Sequence, residues 1–187
     1  MTTVALGFRV HSGWAALVAL AGPGDAPRVI VRRRVVLADA TIRGAKQPYH
    51  AAEPMALEAA MAFLGKCRQA TNVFAMQAIQ DCLSELRGYE VAGACVLLAS
   101  GRPLPDLPSI LASHALIHTA EGEFYRAALR EACRQLGLTE IGMRERDLLP
   151  AIGPSGVGDL GKAIGPPWRQ DEKLAALAAW RILEGGY

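Results

Sequence analysis

The chain has 187 residues, of which 51% are hydrophobic, and its formal net charge is +2 at pH 7. This length and apolar content suffice for one buried core, so we expect a single domain over residues 1–187. The near-neutral charge gives no overall electrostatic argument for nucleic-acid binding. The local run Arg32, Arg33 and Arg34 is the exception, and it suits either an outward strand face or a patch that contacts phosphates.

The cysteines disfavour a zinc ribbon or a redox motif, because they lie far apart and form no CxxC pair. They are Cys67, Cys82, Cys95 and Cys133. Their apolar surroundings predict small core residues of a reduced, cytoplasmic protein. The apolar run from Trp14 to Ala21 is too short to cross a membrane, and it lacks the pattern of a signal peptide.

The N-terminal segment predicts three strands. Apolar residues alternate from Val4 to Val10, which is the period of a strand with two different faces. The continuous apolar run Trp14–Leu20 predicts a strand buried on both faces, and Arg28–Leu37 is rich in β-branched residues. The turn signals at Ser12-Gly13 and at residues 22–25 are short. We therefore expect an antiparallel meander.

Helical composition follows an irregular segment from Thr41 to Tyr49. Residues Glu53–Cys67 and Val73–Arg87 are rich in Ala, Leu, Met and Glu, which predicts two helices. The short apolar run Val91–Ala99 predicts a central strand that pairs with the meander, and the turn residues from Ser100 to Pro103 end it.

The stretch from Pro108 to Gly137 predicts one long amphipathic helix with a polar anomaly. In its first half, His114, His118, Glu121 and Tyr125 fall within the apolar sector. Buried polar groups without partners cost about 1–3 kcal/mol each, so these side chains need partners. We expect them to cluster at a pocket.

The C-terminal part predicts a strand within Thr139–Leu149, a Gly/Pro-rich loop over 151–167 and a last helix over Asp171–Leu183. The full order is three strands, helices, strand, long helix, strand, loop and helix. Such an order favours an α/β domain with a mixed sheet and a right-handed crossover.

This order resembles the ribonuclease H-like superfamily, and one motif supports the likeness. The run from Leu6 to Ala15 looks like the first hairpin of Holliday-junction resolvases, in which a Gly-Ile-Asp-Pro-Gly run precedes a Thr-Gly-Trp-Ala turn. The resemblance implies a fold with an antiparallel three-stranded meander and flanking helices. It also implies a nuclease that uses a divalent metal ion, Mg, Mn or Zn, on nucleic-acid phosphodiesters. Asp171 stands where that family often carries its final metal-binding carboxylate.

Two departures from the family pattern matter for activity. Phe8 or Arg9 occupies the place of the first-strand aspartate, and the strand Val91–Ala99 carries no acidic residue. A two-metal nuclease needs several carboxylates to hold its cations. The resemblance therefore supports the fold better than it supports the activity.

His114, His118 and Glu121 form the first candidate site. Histidines at positions i and i+4 share one helix face, and Glu121 lies near them, a pattern that suits zinc, manganese or iron. The alternative is a hydrogen-bonded core network that includes Tyr125. In a resolvase-like site, Glu121 would instead act as a catalytic carboxylate opposite Asp171.

Arg9 and His11 form the second candidate, because both point to the same side of the first strand at its carboxyl end. Arg9 could bind a substrate phosphate, and His11 could act as an acid or base near neutral pH. The alternative is an exposed strand end. The resemblance to the ribonuclease H-like superfamily implies that Glu121, Asp171 and Arg9 or His11 share one cleft.

Residues 156–162 match the Gly-x4-Gly-Lys core of a phosphate-binding loop, but Ala163 stands where Ser or Thr should hold magnesium. We therefore reject an ATPase and keep Lys162 as an optional anion contact.

Two function hypotheses remain. In the first, a divergent nuclease uses Glu121, Asp171 and His11 on nucleic acid. In the second, a non-catalytic module keeps the fold and binds a nucleotide or a protein partner. A homodimer is one option for the assembly.

Overall fold

The computed structural model describes residues 1–99, 103–148 and 154–185. Five strands form one mixed sheet in the order β3-β2-β1-β4-β5. Their bounds are β1 Thr2–His11, β2 Trp14–Ala21, β3 Arg28–Val36, β4 Tyr89–Leu98 and β5 Glu140–Arg144.

The first three strands form the antiparallel meander that the sequence predicts. Phe8 of β1 pairs with Leu17 of β2 on one side and with Val96 of β4 on the other. Strand β4 runs parallel to β1, and β5 runs parallel to β4. The carboxyl ends of β1, β4 and β5 therefore lie at the same edge of the sheet.

Seven helices follow the chain within the described residues. They are α1 Pro48–Ala52, α2 Leu57–Glu85, α3 Leu107–Leu111, α4 His114–Gln135, α5 Glu145–Leu148, α6 Pro154–Ile164 and α7 Gln170–Leu183. Over the part of the chain that the structure describes, none of them is long and apolar enough to cross a membrane.

Each face of the sheet carries its own helical layer. The face that holds Leu6 and Phe8 packs against α2 and α4, where Phe124 and Leu129 are buried. The opposite face, with Ala5, packs against α7 and α6. The alternation that the sequence shows along β1 thus assigns successive residues to two different cores. All four cysteines are free and buried in these layers, as expected.

The predicted long helix over Pro108–Gly137 is wrong, because the chain breaks into α3 and α4 at Ala112 and Ser113. Ser113 is extended, with φ −135° and ψ 110°, and its carbonyl starts α4 by accepting from the Ile117 N–H. The break allows Leu107 and Leu111 to pack on a small core beside α1 and α2. Tertiary packing thus overrides the continuous helical pattern.

The two predicted helices of residues 53–87 are in fact one, α2. Buried residues recur every three or four positions across residues 68–72, the polar stretch between the two predicted helices; they include Cys67, Thr71 and Ala75. Since no Pro or Gly interrupts residues 66–87, nothing ends the helix there. The irregular segment likewise ends early, because Pro48 already lies in the first turn of α1.

The predicted loop over 151–167 is wrong for residues 154–164, which form α6; residues 151–153 lie outside the described residues. Trp168 packs directly on Gly161, where a Cβ would collide with the indole, and its Nε1 donates to the Val157 carbonyl at 2.9 Å. This contact stabilises a helix that its glycines alone would disfavour. The turn at 100–102 and Leu149 also lie outside the described residues.

Candidate functional site

A charged cluster lies where the parallel strands end. Arg9 and His11 close β1, Glu145 directly follows β5, and Asp171 lies in the first turn of α7. The carboxyl edge of parallel strands is the usual place for ligands in open α/β sheets. A carboxylate in the first turn of a helix is also favoured by the helix dipole. We call Arg9, His11, Glu145 and Asp171 the Arg9 centre.

Arg9 contacts both carboxylates of the Arg9 centre. Its Nη1 lies 3.2 Å from Asp171 Oδ1, and its Nη2 lies 2.9 Å from Glu145 Oε1. The side chains of Arg9 and Asp171 are only 22% and 28% exposed, so solvent screens their contact less than it screens a surface pair. The guanidinium therefore offsets one of the two negative charges at this edge.

His11 joins the Arg9 centre through a single ring nitrogen. Its Nε2 lies 2.8 Å from Asp171 Oδ1 and 2.6 Å from Arg9 Nη1. Nε2 can donate to the carboxylate when protonated or accept from the guanidinium when not, but it cannot do both. Whether Nε2 carries a hydrogen atom therefore decides which partner His11 holds.

An aromatic and basic stack extends the Arg9 centre towards β3. The His11 ring stacks on Trp14 with centroids 4.3 Å apart and planes at 9°. The Arg34 guanidinium also lies over the indole, 3.7 Å from its centroid. Arginine over an indole is a favourable cation–π arrangement. The Trp14 ring is thus covered by His11 and by Arg34.

Two clefts flank the Arg9 centre, and both contain several arginines. One cleft, of about 340 Å³, is lined by Arg126, Arg144 and Arg146 together with Glu145. The other, of about 440 Å³, is lined by Trp14, the run 32–34, Arg169 and Asp171. Arg126 is anchored by donating to the Leu97 carbonyl at 3.0 Å, and burial lowers its pKa from the usual range.

The prediction that Glu121 shares this cleft with Asp171 is wrong. Glu121 belongs to α4, which packs on one face of the sheet, whereas Asp171 begins α7 on the other. The Glu121 carboxylate instead lies 2.9 Å from the Nδ1 of His50. The resemblance correctly implies that Asp171 lies beside Arg9 and His11, but the sequence does not reveal on which face α4 packs.

Lys162 contacts Asp159 rather than a residue of the Arg9 centre. Its side chain is 81% exposed and pairs with Asp159 at 2.7 Å, a hydrogen bond that raises the pKa of Lys162. Residues 156–162 are helical, so their backbone N–H groups do not form the cradle of a phosphate-binding loop.

A second polar cluster lies at the start of α4, and we call it the histidine cluster: His50, His114 and His118. The prediction that both α4 histidines point inward is wrong, since both are exposed, whereas Glu121 is 1% exposed and Tyr125 is buried. The Nε2 atoms of His114 and His118 lie 3.0 Å apart. One ring nitrogen of His50 lies within 4.8 Å of one from each of them.

Sequence reasoning missed two of these residues, Glu145 and His50. Glu145 has a usable signal, because it is an acidic residue within the stretch predicted to contain the last strand, whose carboxyl end would lie at this edge. His50 follows Pro48, a helix-start signal within a segment whose other residues show no regular pattern.

The Arg9 centre does not fit a two-metal nuclease site. Such a site holds its cations with several carboxylates. Here Asp171 and Glu145 both already contact the Arg9 guanidinium. Arg9 is one of the two residues, with Phe8, at the place where the resemblance expects an aspartate. A fixed positive charge between the acids opposes the binding of a second cation.

No protein-family profile matches the sequence, and no curated protein matches it. Two solved structures of RuvC match its fold. Thermus thermophilus RuvC in complex with a Holliday junction substrate has a TM-score of 0.58 at 12% identity, over 98% of this chain and 97% of that one. A second T. thermophilus RuvC structure has a TM-score of 0.53 at 11% identity, over 98% and 94%. The chain therefore has the ribonuclease H-like, RuvC-like fold that its element order and first hairpin indicate.

Proposed function

We propose that this protein binds branched nucleic acid with its RuvC-like fold and does not cleave it by metal-dependent hydrolysis. The observation that carries the proposal is the contact of Arg9 with both Asp171 and Glu145. A nuclease of the two-metal type needs those acids to hold cations, whereas a binding protein needs an edge that phosphates can approach. Arg9 offsets part of the negative charge that would repel them.

The surroundings of the Arg9 centre support nucleic acid as the partner. Exposed arginines line both flanking clefts: Arg34, Arg144, Arg146 and Arg169. Guanidinium groups bind phosphates in a bidentate manner. A structural neighbour of this chain holds a Holliday junction, which favours a branched substrate over a free nucleotide.

Fluorescence anisotropy with a labelled four-way junction, a duplex and a single strand of matched sequence tests the proposal. We expect the tightest binding to the junction, with an affinity that falls as salt rises. Arg34→Ala and Arg146→Ala should each weaken binding and lower the salt slope by about one for each phosphate that the variant no longer binds.

Arg134→Ala is the matched control. Arg134 is exposed and basic but approaches Glu140 at the start of β5, at the opposite edge of the sheet from the Arg9 centre. Its removal should leave binding unchanged. Equal loss in all three variants, or no binding to any of the nucleic acids, would overturn the proposal. Metal-dependent cleavage of the junction that Asp171→Asn abolishes would instead support the nuclease hypothesis.

A further inference from the structure

We propose that the histidine cluster, His50, His114 and His118, binds a transition-metal ion of the zinc class. The cluster gathers three of the four histidines of the chain, and one ring nitrogen from each lies within 4.8 Å of the other two. It belongs to α1 and α4, whereas Asp171 of the Arg9 centre belongs to α7 on the other face of the sheet. The inference does not depend on nucleic-acid binding.

The two α4 histidines already have a chelating geometry. They occupy successive turns, and their Nε2 atoms lie 3.0 Å apart. Two nitrogens at 2.0–2.1 Å from one tetrahedral zinc ion are separated by about 3.3 Å. The spacing of the His114 and His118 nitrogens thus differs from the zinc-bound value by a few tenths of an ångström. The ring of His50 completes the set, with its centroid 4.7 Å from that of His118 and 5.3 Å from that of His114.

Glu121 acts behind His50 as a positioning residue. Its buried carboxylate accepts from the His50 backbone N–H at 3.2 Å and lies 2.9 Å from the His50 Nδ1. That Nδ1 is buried and makes no hydrogen bond of normal geometry. A small ring rotation would let it donate to Glu121 and leave Nε2 for the metal. Carboxylates hold metal-binding histidines in this way in many proteins.

The backbone around His50 is fixed by contacts that need no metal. The Tyr125 hydroxyl donates to the Ala45 carbonyl, and the Tyr49 ring packs edge-on against Phe124 with centroids 6.0 Å apart. Both contacts tie the segment before and within α1 to α4. Such preorganisation lowers the cost of bringing the third ligand to the site.

The donor set selects the class of metal. Neutral imidazoles suit zinc, cobalt, nickel and copper, whereas magnesium and calcium prefer oxygen ligands. His114 and His118 are exposed, so a fourth position is open to water or to another ligand from solution. The positive end of the α4 dipole opposes a cation there, and the negative charge of Glu121 offsets it.

Calorimetric titration of chelator-treated protein with zinc, together with the visible spectrum of the cobalt form, tests this site. We expect one ion per chain and the absorption of tetrahedral cobalt. His118→Ala should lower the zinc affinity at least about tenfold, and Glu121→Gln should lower it about 10–100-fold. Excess magnesium should not compete.

His11→Ala is the matched control, because His11 is the one histidine outside the cluster. It should retain the zinc affinity and the cobalt spectrum. His114→Ala repeats the test at a second exposed position, so that a folding defect in one variant does not obscure the result. No bound zinc, unchanged affinity in His114→Ala and His118→Ala, or loss of zinc in His11→Ala would overturn the proposal.

Discussion

At the scale of single residues, the charge of Arg9 determines what the carboxyl edge of the sheet can bind. An aspartate at this strand position would add a third carboxylate to Asp171 and Glu145 and favour a divalent cation. The guanidinium instead contacts both acids at 3.2 and 2.9 Å. One side chain thus converts a potential metal site into a closed ion-pair network.

Arg9→Asp should replace the ion-pair network with a site that binds a divalent cation. Three carboxylates would then repel one another, and we expect the metal-free variant to lose about 1–2 kcal/mol of stability, a modest value because the groups are partly exposed. Magnesium should restore part of the loss, since it binds only the folded state. Thermal melts with and without magnesium measure both effects.

Arg9→Lys is the control for charge, because it keeps a cation at the same position. It should melt at the same temperature with and without magnesium. If magnesium raised the melting temperature of the wild type and of Arg9→Lys as much as that of Arg9→Asp, the charge at position 9 would not control the binding of magnesium.

The strand pattern of β1 predicts the pairing of Arg9 with His11, and the superfamily resemblance adds Asp171 to them. The sequence does not predict Glu121 correctly, because a helical pattern defines an apolar stripe but not the sheet face that covers it. His50 is far from His114 in sequence, and tertiary contacts of Tyr49, Tyr125 and Glu121 bring it near.

At the scale of elements, the close approach of α7 to β1 positions Asp171. A Cβ at Gly7 would lie 2.6 Å from the Ala179 backbone nitrogen and nearer still to the Ala175 carbonyl oxygen. Only glycine permits this contact, which brings the start of α7 beside the end of β1. The sequence shows Gly7 within a strand, but not which backbone approaches it.

Gly7→Ala should therefore destabilise the protein by about 3 kcal/mol or more, because backbone rather than a side chain must move. Gly65→Ala is its counterpart. Gly65 is an exposed residue within α2 with no atom near its missing Cβ, so alanine there should stabilise by about 0.5–1 kcal/mol. Urea unfolding of the two variants compares them.

The opposite order of stabilities would contradict the packing of α7 on β1.

Helix boundaries illustrate the same limit of sequence reasoning. Buried residues recur at helical spacing through the whole of α2, yet its polar middle makes the sequence look like two helices with a break between them. For α6, the contact of Trp168 with Gly161 outweighs the low helix propensity of glycine.

At the scale of the whole molecule, the sheet separates two cores, and each contains buried thiols. Burial raises the pKa of Cys95 and of Cys133 to about 12 and that of Cys82 to about 11. Cys95 lies in the core under α7, and the other two lie in the core under α2 and α4.

These thiols should not react with a thiol reagent near neutral pH while the protein is folded, because the thiolate is the reactive form. All four should react after unfolding in guanidinium. The reaction rate in the native state should then follow the fraction of unfolded molecules. Rapid modification of Cys95 or Cys133 in native buffer would contradict the burial of both cores.

Anomalous diffraction from crystals soaked in a manganese salt shows whether the Arg9 centre excludes a divalent cation, because it locates the ion. We expect no manganese between Asp171 and Glu145 and an Arg9 guanidinium that still contacts both carboxylates. A manganese ion bound by Asp171 and Glu145, with Arg9 displaced, would contradict the proposed role of Arg9 and favour the hypothesis of a metal-dependent nuclease.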